Sequence, residues 1–421
     1  MVSAPARSRS VGPFALLALG VNGIVGVGVF FAPSELARLA PGGASTLVML
    51  VTGLALTPVA FAVSTLGRRF DEDGGPVLYA RDAFGALAGY FVGWLTYVSA
   101  IFSAAAAVTG LTSAVLPDLV DRPWALRGAA IGLATVLALV CAAGIALSAR
   151  LWTALTILKL LPLLGLLAIA AAAALFAWPL GGGAPVAPVA VPPAHASADW
   201  LRAGLTATFV YQGFEIVPVI AGETRSPERS IPIATIGSLV IATLLYVAIE
   251  RTVVVTLPSP AESHEPLTDA ARALAGARWG SVLHAGASIS ALGIAFGMLV
   301  TTPRYLAALA PASALARPSK RSVPLYALAV TWALVSLTAA LGTLADLFTL
   351  SSLAVLLQYG VVASSLAWLA IHRRRGLAPK DAWSAAPALA LSLVLVSAAS
   401  LREWITAAAF IAIGAAIRRF V

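Results

Sequence analysis

The chain has 421 residues, 60% hydrophobic and only 11% charged, with 27 Lys and Arg against 18 Asp and Glu for a net charge of +9. Soluble domains are roughly a quarter charged, so this composition excludes an ordinary soluble fold. The single cysteine, Cys141, excludes an intramolecular disulfide and any cysteine-based metal or redox motif.

Hydrophobic stretches of about 20 residues recur along the whole length. In hydrocarbon only helices and closed barrels satisfy their own backbone, and these stretches are too long and unbroken for barrel strands. Taken in chain order, about twelve spans are predicted: 11–40, 44–66, 84–116, 124–147, 150–178, 199–221, 231–257, 279–309, 324–341, 344–371, 383–400 and 402–419. The fold class expected is therefore an all-α polytopic membrane protein with a single membrane domain over 1–421. The first apolar run has no clear small-residue cleavage site and reads as a helix rather than a signal peptide.

Basic residues gather in alternate loops, at Arg68–Arg69, Arg317 with Lys320–Arg321, Arg373–Arg375 and Arg418–Arg419, on the side that also holds Arg7 and Arg9. The positive-inside rule then predicts both termini in the cytoplasm of a cell membrane. These scattered loop anchors lack aromatic interleaving, which argues against nucleic acid as a partner. The four histidines show no ligand spacing, so no metal and no cofactor are expected. No Walker or nucleophile-elbow pattern occurs either, so neither ATP-driven pumping nor an enzyme is expected.

The Gly- and Pro-rich stretch 179–197 carries no charge and reads as a linker between two sets of five spans, 11–178 and 199–371, with 383–419 peripheral. An odd number of spans puts the two sets in opposite orientations, as in an inverted repeat. The loop 258–278 is predicted to hold a short helix around 268–275 and reads as a solvated connector rather than a lid.

The first segment of each set is rich in breakers: Gly20, Gly23, Gly26, Gly28 and Pro33 in one, Gly204, Gly213, Pro218 and Gly222 in the other. Mid-helix glycine costs about 1 kcal/mol relative to alanine, so clustered glycines make local unwinding cheap. An unwound stretch at mid-depth exposes amides suited to a carboxylate and carbonyls suited to an ammonium group, which together describe an amino acid head group. Close helix packing at small residues accounts for Gly26 and Gly28 equally well.

Lys159 and Glu215 are the ionisable residues deep inside predicted spans, where charge is costly and usually marks an ion or substrate path. Each also has a plainer reading, snorkelling for Lys159 and a hydrogen-bonding partner of the broken helix for Glu215. Glu35 and Glu250 lie near span ends and read as interfacial. Trp94, Tyr97, Trp152, Trp178 and Trp200 read as an aromatic belt.

Four stretches carry a family resemblance: GIVGVGVFFAP in the first segment, GGPVLYARDAFG before the third, LTILKLLPLLGL in the fifth, and FVYQGFEIVPVIAGETRSPERSIPIA through the sixth. Across nearly its whole length the chain resembles the amino acid-polyamine-organocation superfamily of secondary transporters. That resemblance implies a leucine-transporter-like fold with broken first and sixth helices. It implies carboxylate binding by the amides of Gly26, Val27 and Gly28, and amine binding by the carbonyls of Ile24, Phe209 and Gln212 beside Gly213. Phe209 would be a gating aromatic, Met298 a gate position, Lys159 a proton-coupling residue and Glu215 a link from substrate to gate. The stretch 99–103 of the third segment offers Ile101 and Phe102 and no acidic residue, which favours a neutral or hydrophobic amino acid over arginine or a polyamine. The function expected is proton-linked amino acid transport by alternating access. An exchanger or exporter, a transporter of cationic amino acids or polyamines, a non-transporting membrane sensor and a membrane-embedded enzyme are the alternatives. Sodium stays open as coupling ion, and the oligomeric state is unassigned.

Overall fold

The computed structural model describes residues 11–70, 72, 74–143, 149–176, 199–311, 313–317 and 323–419; for 149–157, 159, 176, 220, 222 and 223 it describes the backbone alone. The described residues are almost entirely helical, and their only β feature is an isolated bridge between Val11 and Thr224.

The helices, in order, are α1 (Pro13–Ile24), α2 (Gly28–Leu39), α3 (Ala44–Ala55), α4 (Thr57–Gly67), α5 (Pro76–Phe84), α6 (Ala86–Val115), α7 (Pro123–Ala142) and α8 (Ala149–Phe176). Then follow α9 (Trp200–Tyr211), α10 (Pro227–Thr256), α11 (Pro266–Ala275), α12 (Ala277–Leu309), α13 (Leu325–Leu341), α14 (Leu344–Ile371), α15 (Ala385–Val396) and α16 (Leu401–Arg418). A tighter 3₁₀ stretch, Phe214–Glu223, continues from α9. Each of the twelve predicted segments coincides with a helix or a broken helix. Six are long and apolar enough to cross a membrane on their own; α1 and α2 pass that test together across a 47° bend, and the α15–α16 region turns by 115°.

Long apolar α6 is the axis of the molecule and is packed by α12 and α14. It is apolar nearly all round because nearly all of it is buried. This corrects two aromatic-belt assignments. Trp94 and Tyr97 are fully buried on α6; the Trp94 indole donates to the Phe410 carbonyl at 2.8 Å and the Tyr97 hydroxyl stands 3.1 Å from that of Thr331. Trp200 is exposed at the start of α9, whereas Trp178 and the Trp152 side chain lie outside the described residues.

The predicted loop helix is α11, but it is no solvated connector. Leu267, Ala270 and Ala271 are buried, and α11 packs on α12, α10, α8 and α2. The loop before it is tied down by the Ser34 hydroxyl, which donates to the Ser263 carbonyl at 2.6 Å.

On the basic face, the Arg375 guanidinium donates to Asp82 of α5 at 3.0 Å and lies over the Phe70 ring. That hydrogen bond holds the Asp82 carboxyl below its ordinary range. A lowered folded value means stability present above the unfolded pKa and lost as pH falls through the folded one. Both groups are partly exposed, so the pair contributes at most about 1 kcal/mol. Melting Asp82→Asn beside the unsubstituted protein is expected to give a small loss at neutral pH that vanishes in acid; a loss that persists in acid contradicts the assignment.

Candidate functional site

The two broken helices cross at their breaks. On one side α1 packs along the 3₁₀ stretch, and the Arg225 amide donates to the Val11 carbonyl at 2.8 Å. On the other side α2 packs along α9, and the Asp199 amide donates to the Leu39 carbonyl at 3.0 Å. At the crossing the backbones touch. Gly213 has φ +128°, and a Cβ there would lie 2.4 Å from the Gly23 carbonyl carbon and oxygen and 2.6 Å from the Ile24 nitrogen. Only glycine meets both demands.

In the first break the helix ends at Ile24, residues 25–27 leave the helical path, and α2 begins at Gly28 without a side-chain cap. The first amides of a helix have no intrahelical partner, so those opening α2 face the gap as donors in the field of the helix dipole. A Cβ on Gly26 would meet only the Ile24 carbonyl, at 3.6 Å, so that turn is open on one side. Gly28 is roofed by Phe209, whose Cδ1 would lie 3.0 Å from a Cβ there. Phe209 in turn stacks on buried Phe348 of α14 with ring centroids 4.3 Å apart.

The Ile24 carbonyl accepts the Tyr246 hydroxyl of α10 at 2.9 Å, leaving one lone pair. Glu215 is buried; its Oε2 accepts the Gly213 amide at 2.8 Å and the Tyr359 hydroxyl of α14 at 2.9 Å. Glu215 is thus hydrogen-bonded to the break and to α14. The Gln212 side-chain oxygen Oε1 accepts from Ser99 at 3.2 Å and from Ser351 at 3.0 Å, and the Ser103 hydroxyl stands 3.0 Å from that of Ser351. Its buried Nε2 has no partner among the described residues.

The sequence reading therefore placed Gly26, Val27, Gly28, Phe209, Gln212, Gly213, Glu215 and Ile24 in one region, and the structure brings them together. Met298 is half-buried on α12, which packs chiefly on α6, α11 and α8. The Lys159 side chain lies outside the described residues. On α6 the reading chose the wrong face: Ile101 is buried, and Phe102 packs edge-on against Phe410 of α16, 5.2 Å away, while Ser99 and Ser103 point to Gln212 and Ser351. The reading also missed Tyr246, Phe348, Ser351 and Tyr359. Their one signal is spacing, since Phe348, Ser351 and Tyr359 lie at helical intervals on one stripe of α14. Among the described residues no group of His, Cys, Asp and Glu is placed to hold a metal.

A second correction concerns Glu250. Its position near a span end suggested an interface, but it is fully buried on α10. Glu35 does sit at the edge, partly exposed and paired with Arg38.

Comparison with known proteins follows the same outline. The chain is 26% identical over 322 residues to the glutamate/serine transporter AimA of Bacillus subtilis (strain 168), covering 71% of this chain and 58% of that protein. It is 22% identical over 267 residues to the methylthioribose transporter of the same organism, covering 60% and 56%. It is 23% identical over 311 residues to the mitochondrial cationic amino acid transporter 3 of Arabidopsis thaliana, covering 70% and 50%. The chain thus spans between half and three-fifths of the length of these curated relatives. A family model described as amino acid permease matches residues 11–416, a range that includes both breaks and every helix named above except the end of α16, and the chain belongs to that family.

Proposed function

We propose that this chain is a secondary active amino acid transporter of a cell membrane, multi-pass with both termini cytoplasmic, working by alternating access around the breaks in α1–α2 and in α9 with its 3₁₀ continuation. In this reading residues 11–178 and 199–371 are inverted repeats within one domain and 383–419 is peripheral. The observation that carries it is the uncapped start of α2 beside the open face of Gly26, at the crossing where Gly213 of the second break lies against Gly23 and Ile24 of the first. The α2 amides suit the substrate carboxylate, and the remaining lone pair of the Ile24 carbonyl, with the Phe209 and Gln212 carbonyls, suits its ammonium group. Phe209 covers the site, and Glu215 ties the break to α14 through Tyr359.

The side chains around the gap, Phe209, Gln212, Ser99 and Ser351, are neutral. They favour a neutral amino acid, serine among the substrates that the relatives' names carry, over glutamate or a cation. A side-chain acceptor on that substrate would satisfy Gln212 Nε2, whose burial without a partner costs about 1–3 kcal/mol. Protons are the proposed coupling ion, with Lys159 as a carrier by the family resemblance. Exchange of internal for external amino acid uses the same site.

The test is uptake of a panel of labelled amino acids into proteoliposomes, with and without a pH gradient; no uptake or exchange of any of them sinks the reading. Gly28→Leu is expected to abolish uptake, because its side chain would begin 3.0 Å from Phe209 and 3.4 Å from the Val210 Cα. Normal transport by that variant would remove the turn from the carboxylate site.

A further inference from the structure

A fully buried carboxylate away from the breaks has no role in the arrangement above. Glu250 lies on α10, about 9 Å of helix from the end at Thr256. Neither of its oxygens has a hydrogen-bond partner among the described residues. The Ser45 hydroxyl of α3 is the polar side chain beside it, and is itself fully buried and without a hydrogen-bond partner among the described residues.

Arg251, next along α10, is exposed, and several charged groups on neighbouring elements are engaged elsewhere. Glu35 and Arg38 of α2 pair with each other, as do Asp269 and Arg272 of α11, while Arg202 of α9 pairs with Glu403 of α16. Glu215 is bonded to Gly213 and Tyr359. The side chains of Lys159 on α8 and of Glu223 lie outside the described residues. Among the described residues the titratable groups that face Glu250 are Tyr211 of α9 and, one turn away on its own helix, Tyr246.

Those two tyrosines are the connection. Tyr246 precedes Glu250 by four residues and so shares its face of α10. Its hydroxyl donates to the Ile24 carbonyl, the last of α1. Tyr211 packs edge-on against Tyr246 with centroids 5.4 Å apart, donates to the Met49 carbonyl of α3 at 2.8 Å, and is followed directly by the Gln212–Gly213 break. Among the described residues no cation is paired with this carboxyl group, and both of the tyrosines beside it end on the breaks.

We propose that Glu250 is a proton-binding site coupled through Tyr246 and Tyr211 to the substrate site, a proposal that rests on the transport reading above. An ionised carboxylate without a partner is costly in such surroundings, whereas a carboxylic acid is neutral and fits them. Binding is the addition of one proton to the carboxylate, taken from water when the pocket opens and returned to water on the other side. Charging the group draws in water or donors, which displaces Tyr246 and releases the Ile24 carbonyl. Proton occupancy and ammonium binding then bias one another, as linkage requires. One carboxylate and one hydroxyl fall short of the oxygen cage that a dehydrated sodium ion needs.

The experiment compares the unsubstituted protein with Glu250→Gln, Glu250→Asp and Lys159→Ala in proteoliposomes, using the best-transported amino acid of the panel. Glu250→Gln keeps the shape of the neutral acid and is expected to exchange substrate at the unsubstituted rate without a gradient. It should lose accumulation driven by the pH gradient, and its uptake should become flat between acidic and neutral pH. Gradient-driven accumulation and a pH profile identical to those of the unsubstituted protein would overturn the proposal. So would a flat Lys159→Ala beside an unaffected Glu250→Gln, which assigns coupling to Lys159 alone, or accumulation driven by sodium instead of protons. If Glu250→Gln does not reconstitute, Glu250→Asp decides: a displaced pH midpoint supports the site, and an unmoved one overturns it. Amino acid uptake that ignores the pH gradient removes proton coupling and this proposal while leaving the transporter reading intact. No uptake at all removes both.

Discussion

Gly213→Ala is expected to cripple transport and lower stability, although it adds a single methyl group. The positive φ alone costs an alanine about 1–3 kcal/mol, roughly a fivefold to hundredfold loss in the population of the folded crossing. The contact adds to this. The new Cβ meets backbone atoms of Gly23 and Ile24 at 2.4–2.6 Å, and backbone cannot swing aside as a side-chain tip can. The breaks must separate, taking the α2 amides and the Ile24 carbonyl out of register. Gly132→Ala on α7 is the control, because a Cβ there meets nothing within 4 Å and alanine gains up to about 1 kcal/mol of helix propensity. Counterflow uptake and thermal melting in detergent read both variants. A Gly213→Ala protein with the transport and melting temperature of the unsubstituted chain would show that the crossing is not held by this contact.

The second large effect is at the ion pair that joins α9 to α16. The Arg202 guanidinium donates to Glu403 through both terminal nitrogens, at 2.5 and 2.7 Å, and Glu403 also accepts from the Thr349 hydroxyl of α14 and from the Ser400 amide. The carboxylate is almost wholly buried, with a side-chain exposure of 4% against 24% for Arg202. Breaking a buried pair by removing one partner costs about 3–5 kcal/mol, because the other charge is left uncompensated. The asymmetry in exposure sets the order. Arg202→Met strands the buried carboxylate and is expected to cost more than Glu403→Gln, which leaves a guanidinium able to reach water. Arg202→Met combined with Glu403→Gln should cost less than the sum of the two single changes, since neither charge remains. Thermal melting of the four proteins closes the cycle; additive losses would show that the two side chains do not interact.

Hydropathy was enough to locate all twelve segments, and glycine density raised Gly26–Gly28 and Gly213 as candidate breaks, with close helix packing an equal rival until the family motifs were added. Both are local properties: the length of an apolar run is set by the bilayer, and the cost of mid-helix glycine is set by its own backbone. The facing of each helix was not legible. In a membrane the lipid-facing and buried sides are both apolar, so α6 shows no stripe to say that Ser99 and Ser103 point to the site while Phe102 points to α16. Trp94, Tyr97 and Glu250 were misjudged for a related reason, since depth along a span says nothing about what surrounds it.

By itself the sequence determined that this chain is a polytopic helical membrane protein, that its first and sixth segments are interrupted, and which superfamily its motifs resemble. The tertiary structure alone decided that the interruptions lie against each other and that, among the described residues, Gln212 Nε2 has no partner while Oε1 accepts from Ser99 and Ser351, and Glu250 is enclosed without a hydrogen-bond partner one turn from the tyrosine that holds Ile24. Contacts between residues more than a hundred positions apart depend on how helices pack, and packing is fixed by shape complementarity among many small apolar side chains rather than by any local pattern.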